Sequence, residues 1–381
     1  MTDNDSKKFI IINFPDSAEN APSIFLFNLI KILLGLPAKV SVISGRAQCF
    51  ALANWVRQVP VYCVDNRSFT SPLLRIMNYL KVQLRISQTL FHMRNDVDSV
   101  IFFIGGDTLL IPMVTARVIR KEASILVGGS SIKTLESKGD PLQRGLKALR
   151  FATCMLAGRI IVYSPLIIRD YSLERWHDKI RIAHEHFLDF TLFNVINNYR
   201  SRETIIGYVG RFSEEKGITP LIHAASAVVD QYPDVKFILI GDGSLRKEIE
   251  QYITDNGLEN FVILLGWVDH SSLSPLLNRM KLLVIPSDTE GLPNTMLEAM
   301  ACGTPVLATP VGAIPDVIID GKTGFIMENN SPECIAESVS RSLNSPDLER
   351  ISENGRRFVE ENFTFESTVA QWKQVLERTI G

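Results

Sequence analysis

Short runs of apolar, often β-branched residues recur along the whole chain, and longer segments with apolar residues at helical spacing separate them. Runs that are apolar at every position are typical of parallel strands buried on both faces. The pattern therefore predicts two doubly wound, Rossmann-like α/β domains, each with a parallel sheet between helices. The predicted strands are 9–13, 40–43, 61–64, 100–104, 124–127 and 160–163 in the first half, and 205–209, 237–240, 262–264, 282–285, 306–308 and 324–327 in the second.

Charge is balanced over the chain but not along it. The 381 residues carry 40 Lys and Arg against 42 Asp and Glu, a formal net charge of −2. Residues 1–200 carry 25 basic and 16 acidic side chains, whereas the remainder carries 15 and 26. We therefore predict two domains, 1–200 and 201–360, joined by a polar linker at 194–202. Ligands are expected at the carboxyl ends of the strands, in the cleft between the domains.

Composition argues against several classes of protein. A net charge near zero disfavours a nucleic-acid binder. The five cysteines lie far apart without a C-x-x-C pair, which disfavours a disulfide scaffold or a zinc ribbon and favours a reducing compartment. The first eight residues are unlike a secretory signal, and no apolar stretch reaches the roughly 20 residues that span a bilayer. We expect a cytoplasmic protein.

The segment after strand 282–285 carries the most informative pattern. Pro293 suits the first position of a helix and Gly303 suits the left-handed cap that ends one, so a helix is predicted over 293–302. The free amides of Asn294 and Thr295, with the helix dipole behind them, predict an anion site at the carboxyl end of a strand.

Two carboxylates flank this anion site, Glu290 before the helix and Glu298 on its second turn. A carboxylate repels a phosphate, so its expected task here is to accept hydrogen bonds from hydroxyl groups. Sugars and riboses carry both hydroxyls and phosphates, which makes a ligand of that kind the favoured hypothesis. Two glutamates on a solvated helix face are the alternative.

A second pattern follows strand 205–209, where Arg211 and Lys216 leave the strand on one loop. Both cations can reach the same site, where they would neutralise a diphosphate leaving group without a metal ion. An exposed charged turn is the alternative. A third pattern, Gly241-Asp242-Gly243 after strand 237–240, predicts either a close backbone approach to a ligand or a simple turn.

Four motifs then follow one another in the second half: Gly-Arg-x4-Lys-Gly at 210–217, Ile-Gly-Asp-Gly at 240–243, Leu-Gly-Trp-Val at 265–268, and Glu-Gly-Leu-Pro-x4-Glu-Ala-Met-Ala-Cys-Gly-Thr-Pro-Val at 290–306. In this order they resemble family 4 retaining glycosyltransferases of the GT-B fold. The resemblance extends from about residue 205 to 327. It implies a hexosyltransferase that uses a nucleotide-diphosphate sugar, UDP- or GDP-linked, and needs no other cofactor or metal.

The resemblance also implies roles for individual residues. Arg211 and Lys216 would hold the donor diphosphate, Glu290 would contact the donor sugar, and Glu298 would bind the ribose hydroxyls. The catalytic set is thus Arg211, Lys216 and Glu290, and the donor-binding set is Gly210, Gly241, Gly243, Trp267, Val268, Glu290, Gly291, Leu292, Pro293, Asn294, Thr295 and Glu298. The last helix, within 361–381, would return to the first domain.

The first half departs from the family pattern. The loop at 14–20 lacks the paired glycines that family members often carry, and 127–131 lacks the histidine expected at the reaction centre. The acceptor therefore stays open, with a lipid-linked or cell-surface glycan as the favoured class. A sugar-nucleotide-binding protein without transfer activity is the alternative function. A nicotinamide-dependent oxidoreductase is disfavoured because no G-x-G-x-x-G follows the first strand.

Two further segments of the first half allow more than one interpretation. Residues 67–94 contain five basic and no acidic residues beside an apolar side, which fits either a covering helix with a charged outer face or a helix on an anionic membrane, such as the inner face of the cell membrane. The pair His184 and His186 around Glu185 has the spacing of a zinc site on a strand face, but a structural role is favoured.

Overall fold

The computed structural model describes residues 6–14, 24–46, 49, 52, 56–66, 69–127 and 143–377. The chain divides into two units, Met1–His186 with Thr368–Gly381, and Phe187–Ser367. The two departures from the family pattern, at 15–20 and 128–131, lie outside the described residues.

The first unit contains a seven-stranded parallel sheet in the order β3-β2-β1-β4-β5-β6-β7. Its strands are β1 (Lys7–Asn13), β2 (Ala38–Gly45), β3 (Val61–Val64), β4 (Ser99–Phe102), β5 (Glu122–Val127), β6 (Arg159–Val162) and β7 (Ile180–Ile182). Its helices are α1 (Ile24–Leu34), α2 (Pro72–His92), α3 (Leu110–Val118), α4 (Gln143–Leu156) and α5 (Pro165–Asp170). The sequence pattern did not predict β7, because three residues at the sheet edge are too few and too exposed to give an apolar run.

The second unit contains a six-stranded parallel sheet in the order β10-β9-β8-β11-β12-β13. Its strands are β8 (Ile205–Val209), β9 (Lys236–Ile240), β10 (Val262–Gly266), β11 (Leu282–Ile285), β12 (Val306–Ala308) and β13 (Phe325–Ile326). Its helices are α6 (Ile218–Gln231), α7 (Arg246–Asp255), α8 (Leu273–Leu277), α9 (Asn294–Ala301), α10 (Ile314–Val317), α11 (Pro332–Leu343) and α12 (Leu348–Asn362). The final helix α13 (Phe365–Glu377) begins here, and from Thr368 it belongs to the first unit.

Both sheets are buried under helices, which confirms the prediction of two doubly wound parallel α/β units. The central strands β4, β6, β11 and β12 are buried at every position. Each strand order reverses once, between β1 and β4 in the first unit and between β8 and β11 in the second. In this architecture ligands bind outside the carboxyl ends of the strands, at the point where the strand order reverses.

The predicted linker at 194–202 is instead packed on the second unit. The guanidinium of Arg202 is buried and donates to the carbonyl oxygen of Cys302 at 2.7 Å and to the hydroxyl of Thr304 at 2.7 Å. The hydroxyl of Tyr199 donates to the carbonyl of Lys281 at 2.8 Å. A polar segment without apolar periodicity predicts a linker, but here its polar groups bind other residues of the second unit, to which the segment belongs.

The spacing of the cysteines favoured free thiols in a reducing compartment. In the structure Cys49 and Cys63, which are 14 residues apart, form a disulfide. Sequence distance alone did not indicate that these two side chains meet. Within the described residues, no helix is long and apolar enough to cross a membrane. The same part of the chain contains no cluster of His, Cys, Asp and Glu side chains that would hold a metal ion.

Candidate functional site

The switch point of the second unit lies between the loops that follow β8 and β11, and these loops contact each other closely. The amide of Asp288 donates to the carbonyl of Glu215 at 3.0 Å. Gly217 has φ +66°, and a Cβ there would lie 1.9 Å from the carbonyl oxygen of Pro286. Only glycine allows this approach without moving the backbone. The two loops are therefore fixed against each other at the place where a ligand is expected.

Lys216 and Glu290 meet across this switch point. The Nζ of Lys216 lies 2.7 Å from Oε1 of Glu290, and the hydroxyl of Ser287 donates to the same oxygen at 2.8 Å. The Lys216 side chain is 29% exposed and that of Glu290 is 11% exposed, so a ligand can reach the pair from one side. Charge-assisted hydrogen bonds of this kind orient both groups. The predicted convergence of Lys216 and Glu290 on one site is thus present in the structure.

The loop after β11, which contains Glu290, is hydrogen-bonded to the segment that follows β12. The hydroxyl of Thr309 donates to the carbonyl of Ser287 at 2.5 Å, and the amide of Ala313 donates to the carbonyl of Gly291 at 2.8 Å. Gly312 has φ +58°, and its ideal Cβ position lies 2.2 Å from the carbonyl oxygen of Glu290. This packing sets the direction in which the Glu290 carboxylate leaves the loop.

Helix α9 begins at Asn294, with Pro293 as its N-cap rather than its first residue. This corrects the predicted boundary by one position: Pro293 has ψ 121°, an extended backbone conformation that precedes the first helical turn. The first three amides of any helix lack an intrahelical acceptor, so those of Asn294 and Thr295 are available to an anion. Gly303 follows the helix with φ +68°, which confirms the predicted left-handed cap.

Glu298 lies on α9 and is 4% exposed. Its Oε1 lies 2.8 Å from Nε2 of His270, while Oε2 is buried without a hydrogen-bond partner among the described residues. The hydrogen bond to Glu298 raises the pKa of His270 above its usual value, although partial burial opposes this. The His270 ring also packs 5.1 Å from that of Phe193.

Sequence reasoning missed His270. It lies 28 residues before Glu298, just beyond Trp267 and Val268, in a short turn that leads into α8. Because α8 packs on α9, the turn places the imidazole over the carboxylate. The available signal was a histidine following the Leu-Gly-Trp-Val motif, but nothing in the sequence links it to a particular acid.

The two predicted glycine positions contact protein backbone. Gly241 has φ +136°, with its ideal Cβ position 1.9 Å from the carbonyl oxygen of Gly210, and that of Gly243 lies 2.3 Å from the carbonyl oxygen of Phe212. These glycines thus allow the turn after β9 to press against the loop that carries Arg211. Arg211 itself is exposed, and its carbonyl accepts a hydrogen bond from Tyr208 at 2.8 Å.

The remaining predicted residues differ in exposure. Leu292 and Pro293 are buried, whereas Gly291, Asn294 and Thr295 are partly exposed. Trp267 is 74% exposed, the highest value among the large hydrophobic side chains of the described residues, and Val268 packs partly against the core. An indole presented to solvent next to the end of β10 has a free face on which a planar ring can stack.

Residues 190–358 match the family model described as glycosyl transferases group 1, which confirms the predicted resemblance over this segment. An uncharacterized glycosyltransferase of Methanocaldococcus jannaschii is 34% identical over 45% of this chain and 47% of its own length. The capsular polysaccharide biosynthesis glycosyltransferase CapM of Staphylococcus aureus is 34% identical over 42% of each chain. The chain therefore spans about half the length of the curated relatives that it matches.

The similarity in structure extends over both units. The solved structure of HepE from Anabaena in complex with UDP has a TM-score of 0.75, with 19% sequence identity, and the match covers 97% of this chain and 99% of that chain. At this identity the likeness shows the fold alone, which is the GT-B fold that the motifs predicted.

Proposed function

We propose that the protein is a glycosyltransferase that moves a hexose from a nucleotide-diphosphate sugar to a hydroxyl acceptor. The observation that carries the proposal is the Lys216–Glu290 pair at the switch point of the second unit, 2.7 Å apart and open to a ligand on one side. The match of residues 190–358 to group 1 glycosyltransferases supports the reaction class. In this proposal 201–360 form the donor-binding domain and 1–200 the acceptor side.

In the proposed reaction, the bond between the sugar and the diphosphate breaks as negative charge grows on the leaving oxygens. Lys216, Arg211 and the first amides of α9 would stabilise this charge without rearranging, which is electrostatic preorganisation. The donor is then cradled by Gly210, by Gly291 to Thr295, and by the turn at Gly241 and Gly243. Lys216 and Arg211 would neutralise the charge of the leaving diphosphate, as a divalent metal ion does in other enzymes.

Donor recognition is assigned to three side chains. Glu290 accepts hydrogen bonds from hydroxyl groups of the sugar, and its contact with Lys216 orients it. Glu298 accepts a hydrogen bond from a ribose hydroxyl. Its Oε2 is buried without a hydrogen-bond partner among the described residues, so a donor from the ligand would be favourable. Trp267, together with Val268, lies beside the base, which stacks on the exposed indole. The nucleotide is UDP or GDP.

Three finer features complete the proposal. The sugar is transferred with retention, through front-face substitution in which the departing phosphate takes the proton of the acceptor. The acceptor is a lipid-linked or cell-surface glycan, which is supported by the name of the capsular relative CapM. The reaction takes place in the cytoplasm, at the membrane where such acceptors are held.

A screen of nucleotide sugars by thermal shift tests donor binding, and mass spectrometry of products formed with cell-envelope lipids tests transfer. We expect one nucleotide-sugar class to raise Tm, because a ligand that binds only the folded state stabilises it. The Lys216→Ala variant should show a smaller shift, whereas Lys236→Ala, whose Nζ binds the carbonyl of Asn260, should keep the full shift. Donor binding with neither transfer nor donor hydrolysis would support a non-catalytic sugar-nucleotide-binding protein instead.

A further inference from the structure

Three helices of the first unit, α2, α3 and α4, contain no acidic residue. Together they contain seven Lys and Arg side chains: Arg75, Lys81, Arg85, Arg117, Arg144, Lys147 and Arg150. Helix α3 contacts α2 on one side and α4 on the other. The three helices connect β3 to β4, β4 to β5 and β5 to β6, and each connection moves in the same direction across the sheet. Right-handed crossovers therefore place all three helices on one face of the sheet. We call these helices the three-helix face.

The outward side of α2 is apolar. Leu73, Met77, Leu80, Leu84 and Phe91 follow one another at helical spacing, so they form one stripe along the helix. All five are exposed, and Leu73 reaches 67%. The opposite side, including Val82, Ile86 and Leu90, is buried in the core. Helix α2 therefore covers the core with one side and presents both apolar side chains and the exposed Lys81 on the other.

The neighbouring helices extend this apolar surface. Val114 and Val118, one turn apart on α3, are exposed, and so are Phe151 and Met155 on α4. Lys81, Arg117 and Arg144 are exposed among them. Soluble proteins rarely expose a cluster of large apolar side chains unless that surface binds a partner. Here the cluster lies among exposed basic residues.

We propose that the three-helix face binds the surface of an anionic membrane, with the α2 stripe inserted among the lipids. Charge selects this occupant, because Lys81, Arg117 and Arg144 are exposed beside the apolar side chains and attract anionic headgroups. The amphipathic α2, 21 residues long, contributes apolar area that enters the boundary between headgroups and acyl chains. The exposed Lys81 lies beside the apolar stripe, as is typical of an interfacial helix, and no described helix is long and apolar enough to span the bilayer.

This surface is independent of the donor site, although it adds a partner to the proposed function. A transferase with a lipid-linked acceptor must work where that acceptor lies, and adsorption confines the search for it to two dimensions. The two proposals fail separately, since vesicle binding requires no nucleotide and donor binding requires no lipid.

Flotation of the full chain with vesicles tests the proposal. We expect binding to vesicles that contain about a third phosphatidylglycerol, little binding to phosphatidylcholine alone, and weaker binding as salt is raised. The double variant Met77→Asp/Leu84→Asp should lose about tenfold or more in partition coefficient, because it places two charges in the apolar stripe. Both side chains are more than half exposed, so the variant is expected to fold, which circular dichroism checks.

The matched control is Ile196→Asp in the second unit, since Ile196 is 58% exposed, the same as Met77. It should bind vesicles like the unaltered protein, and both variants should keep the thermal shift with the nucleotide sugar. Equal vesicle binding by the Met77/Leu84 variant and the unaltered protein would overturn the proposal. So would a dimer that the Met77/Leu84 variant dissociates, because the face would then be an interface between copies of this chain.

Discussion

Lys216 and Glu290 are 74 residues apart in the chain, yet Nζ of the first lies 2.7 Å from Oε1 of the second. The contact follows from topology, since β8 and β11 are adjacent and parallel, and both residues leave their carboxyl ends. The lysine has one strong acceptor in the absence of a ligand, and a diphosphate would offer it another. The pair therefore holds both side chains at the place where the donor is proposed to bind.

Removing the lysine charge should affect turnover more than binding. Lys216→Ala is expected to lower kcat by about 10²-fold or more, because a cation that opposes growing charge contributes mainly in the transition state. Lys216→Arg should recover part of this loss, since the charge is kept but its geometry is changed. Steady-state kinetics with the donor identified by thermal shift measures both. An unchanged kcat in Lys216→Ala would remove the residue from the catalytic role.

The contact of His270 with Glu298 predicts a measurable titration. The pKa of His270 is raised by its hydrogen bond to Glu298, so Glu298→Gln should bring this pKa back toward its usual value. NMR titration of the imidazole in both proteins tests the effect. His223→Gln, which lies at the ring of Tyr252, is a control that should leave the His270 titration unchanged. A His270 pKa that is the same with and without the Glu298 carboxylate would contradict the contact.

The same contact predicts how stability depends on pH. Because the folded-state pKa of His270 is raised, the stabilisation by the protonated imidazole is fully present below its unfolded value of about 6.5. It is lost as pH rises through the folded pKa. The Tm difference between the unaltered protein and His270→Gln should therefore be larger at pH 6 than at pH 9, though modest because the imidazole is two-thirds exposed.

How far the sequence predicts this site depends on how directly the backbone sets each contact. Lys216 and Glu290 could be placed together because parallel strands bring their carboxyl ends to one edge, whatever the side chains are. His270 could not be paired with Glu298, since their contact depends on how the short helix α8 packs on α9. Arg202 was missed for a similar reason: its acceptors at Cys302 and Thr304 lie about 100 residues away. Local sequence patterns predicted the helices and strands. The side-chain contacts between these elements could be found only from the structure.

A buried carboxyl in the first unit predicts a second pH effect. The hydroxyl of Tyr163, after β6, donates to Oε1 of Glu185, after β7, at 2.6 Å. Burial raises the pKa of Glu185 to about 8, so the group is neutral in the folded protein at pH 7. Between pH 4.5 and 8 the folded state holds a proton that the unfolded state releases, so the stability of the folded state falls as pH rises.

Glu185→Gln copies the neutral carboxyl and removes this titration. The variant should match the unaltered protein near pH 4.5 and become progressively more stable than it up to pH 8, because the unaltered protein alone loses stability. Thermal unfolding at several pH values measures the difference. A constant Tm difference across this range would show that Glu185 does not titrate there.

Gly217 and Gly257 provide a matched test of how closely the two loops at the switch point approach. Their φ values are +66° and +64°, so an alanine side chain strains both backbones to a similar degree. A Cβ at Gly257 would meet nothing within 4 Å, whereas at Gly217 it would meet the carbonyl oxygen of Pro286 at 1.9 Å. Gly257→Ala should therefore cost about 1 kcal/mol in free energy of unfolding, and Gly217→Ala clearly more.

The difference between the two variants isolates the approach of the loops, because the backbone strain cancels. Chemical denaturation measures both costs, and donor affinity adds a second measurement. If Lys216 and Glu290 act from loops held together, Gly217→Ala should weaken donor binding while Gly257→Ala leaves it unchanged, since only the former separates the loop after β8 from the loop after β11. Equal costs and equal affinities in the two variants would mean that the close approach at Pro286 contributes neither to stability nor to the donor site.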